Sequence, residues 1–193
     1  MTNTILQIDT SARYDGSESR ALTKRIVDRL APATVIHRDL STGMPAIDGP
    51  WLAANWMPED QRTDEDRQML ALSDTLIEEI KSADTLVIGA PIYNFGIPAT
   101  LKSWVDHVAR AGITFKYSEA GPQGLMTGKR AIVAITSGGT QIGSDIDFAS
   151  GYLRHVLGFI GITDVQFVAA DQLAIDADAS HAKATAALEA IAA

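Results

Sequence analysis

The sequence has no cysteine, and this absence excludes disulfide bonds, thiolate catalysis and zinc sites built from cysteine. Basic residues are few as well: 16 Lys and Arg stand against 24 Asp and Glu, giving a net charge of −8. Binding to a nucleic-acid backbone needs clustered cationic side chains. No apolar run approaches the roughly 18 residues that a membrane-spanning helix needs. We therefore expect a cytoplasmic protein that contacts neither nucleic acid nor a membrane.

The chain of 193 residues is long enough for one ordinary domain. Hydrophobic residues make up 46% of it and charged residues 21%, and no stretch is of low complexity. This composition favours a packed core over disorder or linkers. We predict a single domain over residues 1–193.

Short apolar segments alternate with longer amphipathic segments, which is the pattern of a parallel sheet connected by helices. Ile and Val occupy both faces of the short segments, so helices should cover both sides of the sheet in a three-layer α/β sandwich. The five predicted strands are Thr4–Asp9, Thr34–Arg38, Thr85–Ala90, Ala131–Thr136 and Val165–Ala169. The predicted helices are Ser19–Leu30, Thr63–Ser82, Pro98–Arg110, Phe148–Ile160 and Ala179–Ile191.

Two long connections interrupt the alternation. Ser41–Arg62 contains three prolines and two tryptophans, and Gly112–Gly128 contains four glycines and one proline. Connections of this length inside a compact domain are more often functional than idle. The apolar side chains of the first one, Trp51 and Trp56 among them, either fold back onto the domain or contact another subunit.

Three loops are candidates for a ligand site. In an open parallel sheet, ligands bind beyond the carboxyl ends of the strands, where the strand order reverses. This rule selects Thr10–Arg20, Pro91–Gly96 and Ser137–Ser144, which follow the first, third and fourth predicted strands.

The first loop is suited to a phosphate. Ser11, Ser17 and Ser19 can offer hydroxyl groups beside the unpaired backbone N–H groups at the start of a helix, where the dipole favours an anion. Arg13 or Arg20 can add positive charge. Serines before a helix also serve as simple caps, but one cap needs only one hydroxyl.

The second loop combines aromatic rings with an amide. The sequence Pro-Ile-Tyr-Asn-Phe-Gly turns through Asn94 and Gly96, with Tyr93 and Phe95 at its tip. A flavin needs an apolar contact for its ring and polar groups at its edge, and this loop offers both. The alternative is that the two aromatic side chains only close the core.

The third loop is rich in glycine. After Thr136 and Ser137, the residues Gly138 and Gly139 let backbone N–H groups approach a ligand closely. Together, the three loops are expected to hold a phosphorylated, planar ligand from three sides.

At these residues the sequence resembles the FMN-dependent NADH-azoreductase and NADH:quinone oxidoreductase family, a branch of the flavodoxin-like superfamily. The resemblance is carried by the S-x-S at Ser17–Ser19, by PIYNFGIPATLKSWVDHVARAGITFKYSEAGPQGLMTGKRAIVAITSGG and by GFIGITDVQFVAA. It covers most of the chain. It implies a flavodoxin-like strand order of 2-1-3-4-5 and FMN as the cofactor.

The resemblance also implies a homodimer with both active sites at the interface, in which Gly112–Gly128 covers the flavin of its own subunit or of the partner. The chain departs from the commoner family pattern at Ile92, where Met is frequent, and at Gly96, where Asn is frequent. The implied FMN contacts are Ser11, Ser17, Glu18, Ser19, Pro91, Ile92, Tyr93, Asn94, Phe95, Gly96, Thr136, Ser137, Gly138 and Gly139. The candidates for the acceptor pocket are Trp56, Tyr117 and Phe159.

The expected activity is transfer of a hydride from NADH or NADPH to FMN, followed by reduction of a quinone or an azo compound in a ping-pong cycle. No protein residue is expected to be catalytic in its own right, and no metal is expected. The alternatives are an electron carrier or a flavin-dependent sensor without NAD(P)H turnover, and a related fold that binds no flavin.

The remaining polar residues carry no further motif. The four histidines lack the spacing of a metal site, so structural or surface roles are expected for them. Asp106 and Arg110, at i and i+4 of a predicted helix, are expected to form a surface pair or interface contacts.

Overall fold

Five parallel strands form the centre of the protein, which the computed structural model describes from residue 3 to residue 192. Their bounds are β1 Thr4–Asp9, β2 Thr34–Asp39, β3 Thr85–Pro91, β6 Arg130–Thr136 and β7 Asp164–Ala170. Two short strands, β4 Phe115–Ser118 and β5 Gly121–Gly124, form a separate antiparallel hairpin. The sheet order is β2-β1-β3-β6-β7. This confirms the predicted order 2-1-3-4-5, because β6 and β7 are the fourth and fifth predicted strands.

Within the described residues, six α-helices accompany the sheet: α1 Glu18–Leu30, α2 Gly49–Trp56, α3 Asp64–Ser82, α4 Ala99–Val108, α5 Ser150–Ile160 and α6 Ala177–Glu189. Five of them are the predicted helices, with ends shifted by a few residues. A side-chain cap explains one of the shifts: Asp176 accepts the N–H of Ala179, so α6 begins earlier than predicted.

The helices cover both faces of the sheet. Along β3, Leu86 and Ile88 face a core formed with α3, α4 and α5, whereas Val87 faces the opposite core formed with α1 and α6. Alternate strand residues point to opposite faces, so each apolar strand serves two cores. Each such side chain contributes about 1.5–3 kcal/mol when fully buried. In the described part of the chain, no helix is long and apolar enough to cross a membrane.

The first long connection contains α2, which was not predicted. Trp51 is buried against Ala54 and Leu70, so this tryptophan folds back onto the domain. Trp56, at the end of the same helix, is 74% exposed. Trp51 therefore follows the first of the two alternatives that the sequence left open, whereas Trp56 does not fold back onto the domain.

The expectation of a surface pair between Asp106 and Arg110 is wrong. Since α4 ends at Val108, Arg110 leaves the helical face, and its fully buried guanidinium donates to Asn55 Oδ1 (2.9 Å) and to Asp74. Asp106 instead pairs with Lys102 one turn earlier on α4. Arg110 thus connects α2 to α3 from the end of α4.

The second long connection contains the β4–β5 hairpin, which is anchored on the end of α5. Met126 donates its N–H to the carbonyl of Ile160 (2.8 Å). A Cβ atom on Gly124 would lie 2.2 Å from the backbone nitrogen of Gly161, so only glycine allows this approach. Gly124 is therefore required for packing of the hairpin against the end of α5.

Candidate functional site

A cavity of about 430 Å³ opens at the carboxyl ends of β1, β3 and β6. This volume lies in the range of pockets that hold a cofactor or another small molecule. All three predicted loops contribute to its wall. The predicted site residues that line it are Ser11, Ser17, Glu18, Ser19, Pro91, Ile92, Tyr93, Thr136, Ser137 and Gly138. Asn94, Phe95, Gly96 and Gly139 are not among the lining residues, and each belongs to the same loop as one of these.

Residues 10–19, called the phosphate loop below, include two serines whose hydroxyl groups have no strong partner, Ser17 and Ser19. Ser17 stands at the N-cap position of α1, but its side chain makes no capping hydrogen bond. Its Oγ lies 3.4 Å from Ser19 Oγ, and both side chains are buried. Within the described residues, no side chain caps the first turn of α1, so its N–H groups and these hydroxyls are available to an anion.

The side chains of the two arginines in this region point in different directions. Arg13 lines the cavity. Arg20 does not: its guanidinium donates to both carboxylate oxygens of Asp39, at 2.9 and 3.0 Å. Burial opposes ionisation of Asp39, but hydrogen bonds from Arg20 and Ser41 outweigh it and hold the pKa of this carboxyl well below its usual value. Of the two arginines that the sequence offered for the phosphate, only Arg13 faces the cavity.

The aromatic loop is a tight and strained turn. Tyr93 and Gly96 exchange two backbone hydrogen bonds of 3.0 and 3.1 Å. The residues between them, Asn94 and Phe95, both have left-handed backbones, with φ of 48° and 74°. A left-handed non-glycine residue costs about 1–2 kcal/mol. The turn passes through Asn94 and ends at Gly96, but its second left-handed position is taken by Phe95 and not by the glycine, and such strain is typical of functional sites.

Tyr93 joins the aromatic turn to the phosphate loop. Its hydroxyl accepts the N–H of Ala12 at 3.2 Å and lies 3.3 Å from Ser11 Oγ. The two loops therefore form one continuous wall of the cavity.

The glycine loop leaves open space. Ser137 donates its hydroxyl to the carbonyl of Thr140 and accepts the N–H of Gln172 (3.2 Å), so this side chain shapes the loop. A Cβ atom on Gly138 would come no closer than 3.8 Å to another atom, and one on Gly139 would meet nothing within 4 Å. The packing of the chain therefore does not require glycine at these positions. A flat ligand that lies against the loop would require it, because a side chain would occupy the same space.

A fourth wall was not predicted from the sequence. Leu173, Ala174, Ala177 and His181 line the cavity from the segment after β7 and from α6. His181 Nε2 lies 3.2 Å from a carboxylate oxygen of Glu18. The rule that selected the other loops also applies to the end of β7 at the same sheet edge, and it would have pointed to this segment.

The candidates for the acceptor pocket lie elsewhere. A second cavity of about 740 Å³ is lined by Trp56 and Tyr117, together with parts of α2, the end of α4 and the hairpin. It shares no lining residue with the first cavity. Phe159 lines neither cavity and packs behind the hairpin, with its ring 4.5 Å from that of Phe115. The turn that precedes α4 borders the first cavity, and the end of α4 borders the second. The length of α4, about 15 Å, therefore lies between them.

The cavity fits FMN by its size, by the uncommitted hydroxyl and N–H groups at one end and by the aromatic turn beside it. A three-layer α/β sandwich with such a site at its switch point is a flavodoxin-like protein. A family model described as a flavodoxin-like fold matches residues 3–193.

Comparison with named relatives identifies the family within this class. A protein of Jannaschia sp. (strain CCS1), "FMN-dependent NADH:quinone oxidoreductase 1", is 62% identical over 98% of each chain. A "FMN-dependent NADH:quinone oxidoreductase" of Cereibacter sphaeroides is 55% identical over 98% of this chain and 99% of its own. The structure of an FMN-dependent NADH-azoreductase from Bacillus anthracis, in complex with FMN, matches with a TM-score of 0.84, 29% identity and 97% coverage of each chain. The chain belongs to the FMN-dependent NADH:quinone oxidoreductase family.

Proposed function

We propose that the chain is a single FMN-binding domain over residues 1–193 that uses NADH to reduce quinones and to cleave aromatic azo compounds. One observation carries the proposal: the uncommitted hydroxyls of Ser17 and Ser19 line the same cavity as Tyr93 of the strained aromatic turn. FMN, when bound, accepts a hydride from NADH and passes the electrons to the second substrate. The nicotinamide donor favours the cytoplasm as the place of action.

The phosphate end of the cavity would be held by the serines. Ser11, Ser17 and Ser19 supply hydroxyls, and Glu18 supplies a backbone N–H in the first turn of α1. Hydrogen bonds between such donors and a dianionic phosphate are each worth about 1.5–3 kcal/mol. These contacts orient the cofactor and take no part in the chemistry.

The ring end would be held by the two other loops. Pro91, Ile92 and Tyr93 provide apolar contact, with Thr136 and Ser137 on the neighbouring strand end. Backbone N–H groups of the remaining loop residues can stabilise negative charge on the reduced ring, because they are fixed before the charge develops. The residues in that role are Asn94, Phe95, Gly138 and Gly139, whereas Gly96 donates its N–H to the carbonyl of Tyr93 and closes the turn.

A second copy of the chain would complete the acceptor pocket. Trp56 and Tyr117 are each 74% exposed and border the cavity at the far end of α4, away from the phosphate loop of their own subunit. Phe95 and Phe148 are exposed beside the turn, where the N–H of Phe148 bonds to the carbonyl of Phe95 (3.3 Å). A homodimer would cover these rings and bring Tyr117, with Phe159 behind it, over the flavin of the partner.

The test is an anaerobic stopped-flow experiment on FMN-loaded protein. NADH or NADPH is added while the flavin absorbance is followed, and a benzoquinone or an azo dye is added afterwards. We expect bleaching by NADH and rapid return of the absorbance with either acceptor. Flavin that binds but is not bleached would make the chain an electron carrier or a sensor. A chain that binds no FMN would refute the assignment of the cavity.

A further inference from the structure

We propose that the Arg20–Asp39 ion pair positions the phosphate loop for the FMN phosphate without touching that phosphate itself. This proposal rests on the proposed function, because it assumes that the loop holds FMN. It makes Arg20 a positioning residue, although its place one residue after Ser19 suggests a direct ligand.

The guanidinium of Arg20 makes five hydrogen bonds to the protein. Its Nη1 and Nη2 atoms bind the two oxygens of Asp39 at 3.0 and 2.9 Å, and Nη2 also donates to Ser41 Oγ at 2.9 Å. Two further bonds reach into the phosphate loop: Nη2 donates to the carbonyl of Ser11 (2.9 Å) and Nε to that of Arg13 (3.1 Å). The side chains of Arg20 and Asp39 are only 15% and 19% exposed. One N–H of Nη1 makes no hydrogen bond, but Nη1 lies 3.9 Å from a carboxylate oxygen of Asp9, and Arg20 is not among the residues that line the cavity.

The geometry of the peptide group shows what these bonds do. In a planar trans peptide, the carbonyl of one residue and the N–H of the next point in opposite directions. When Arg20 holds the carbonyl of Ser11, the N–H of Ala12 must point the other way. It points to the hydroxyl of Tyr93, which lines the cavity. Arg20 therefore fixes the direction of the Ala12 N–H, and with it the contact between the phosphate loop and Tyr93, before a ligand arrives, and a site ordered in advance binds more tightly.

The ion pair itself adds little positive field to the cavity. Asp39 balances the charge of Arg20 at hydrogen-bond distance, so a phosphate nearby experiences the pair as a dipole. This separates two roles for Arg20. If Arg20 attracted the phosphate by charge, removal of the Asp39 charge would strengthen FMN binding. If the pair positions the loop, the same change would weaken it.

The readout is the ratio of two dissociation constants, for riboflavin and for FMN, measured on the flavin-free protein by quenching of flavin fluorescence. The two ligands differ in the phosphate, so the ratio reports the phosphate site and is insensitive to general loss of fold. We expect Asp39→Asn to lower the ratio by about tenfold, which corresponds to ~1.4 kcal/mol. Riboflavin affinity should stay within about threefold of the wild-type value, a change below 1 kcal/mol.

A second variant keeps the positive charge but removes the planar guanidinium group, which donates several hydrogen bonds in fixed directions. Arg20→Lys retains one cation, but an ammonium group cannot hold a carboxylate and two carbonyls in fixed directions at once. We expect Arg20→Lys to lower the ratio by about tenfold, as Asp39→Asn does, because the loss of one strong contact is enough to change a dissociation constant by about tenfold. A Lys variant with wild-type FMN affinity would overturn the positioning role.

The chain offers a matched control. Arg38 and Glu79 form another partly buried ion pair, with side chains 30% and 14% exposed, which ties β2 to α3 and does not touch the phosphate loop. Arg38→Gln should lower the melting temperature as the loop variants do, yet leave the ratio unchanged. A ratio that falls equally in the control would reduce the effect to general stability.

The outcomes separate this proposal from the function on which it rests. If the wild-type protein binds FMN much more tightly than riboflavin and the loop variants weaken both ligands equally, the positioning role fails and the FMN site stands. If Asp39→Asn tightens FMN binding, Arg20 acts by charge and the proposal is wrong. If the wild-type protein binds neither flavin, the proposed function fails and the positioning role fails with it.

Discussion

The phosphate loop and the aromatic turn border the same cavity, but the protein holds them in opposite ways. The phosphate loop is relaxed and strongly tethered, with Arg20 and Tyr93 bonded to its backbone. The aromatic turn is closed by two backbone bonds and keeps Asn94 and Phe95 in left-handed conformations. The first loop must bind a charged group of fixed shape, for which preformed donors are sufficient. The second lies where the proposed chemistry occurs, and there the sequence tolerates strain.

The largest expected effect comes from the phosphate loop. The double substitution Ser17→Ala and Ser19→Ala removes two hydroxyl donors and should weaken FMN binding by about 100-fold or more, since each bond to a charged group contributes about 1.5–3 kcal/mol. Because the Ser17 side chain does not cap α1, urea unfolding of the flavin-free protein should lose well under the usual cap cost of about 1 kcal/mol. A loss of about 1 kcal/mol in the free energy of unfolding would show that the Ser17 side chain caps α1.

In the aromatic turn, we expect a substitution to raise the stability of the protein and to lower its activity. Phe95→Gly relieves the left-handed strain and should stabilise the flavin-free protein by about 1 kcal/mol. Loss of the ring should lower kcat/KM for quinone reduction by about tenfold, or ~1.4 kcal/mol. Phe95→Ala is the matched variant, because it removes the same ring but keeps a Cβ atom at φ 74°. Equal stability of the two variants would contradict the assignment of strain to this residue.

The same experiment tests the choice of loop. Replacement of Asn94 or Phe95 should lower flavin occupancy or reactivity more than His155→Ala, since His155 lies exposed on α5 outside the cavity. Equal and negligible effects at all three positions would refute the role of the aromatic turn.

A smaller effect is expected at the second cavity. Tyr117→Ala should lower kcat/KM for quinones by about fivefold, roughly 1 kcal/mol, while leaving the FMN dissociation constant unchanged. The reason is that Tyr117 lies outside the cavity of its own subunit and, in the proposed homodimer, would contact the acceptor at the partner's site. The measurement is steady-state kinetics beside a flavin titration. A large loss of FMN affinity would place Tyr117 on the flavin instead.

The smallest effect concerns pH. The pKa of Asp39 is held well below its ordinary value of 3.8, so the stabilisation from its ion pair is fully present above that value and is lost as the pH falls through the lowered pKa. Asp39→Asn should therefore cost about 1 kcal/mol at pH 7, and the difference from wild type should shrink below about pH 4. Urea unfolding from pH 7 to pH 3 measures this. A constant difference would exclude Asp39 as the titrating group.

Local patterns in the sequence predicted most of the fold. The alternation of apolar strands and amphipathic helices predicted all five strands of the sheet, and the helix predicted to begin at Thr63 begins at Asp64, with the Thr63 side chain as its cap. The predicted phosphate loop and Tyr93 also line one cavity, because the carboxyl ends of parallel strands meet at one edge. These features depend on neighbours within a few residues, or on a general rule of sheet topology.

What the sequence alone did not predict depends on contacts between distant segments. Arg110 is buried through Asn55 and Asp74, which lie 55 and 36 positions away, and no periodicity records such a pairing. The direction of Arg20 is decided in the same way by Asp39, which only the pairing of β1 with β2 brings near. The sequence by itself determined the five strands of the sheet, their order, five of the helices and the chemistry available at the sheet edge. Only the tertiary structure decided which of those groups face the cavity and which are bound behind it, because a long side chain turns to the partner that packing places within reach.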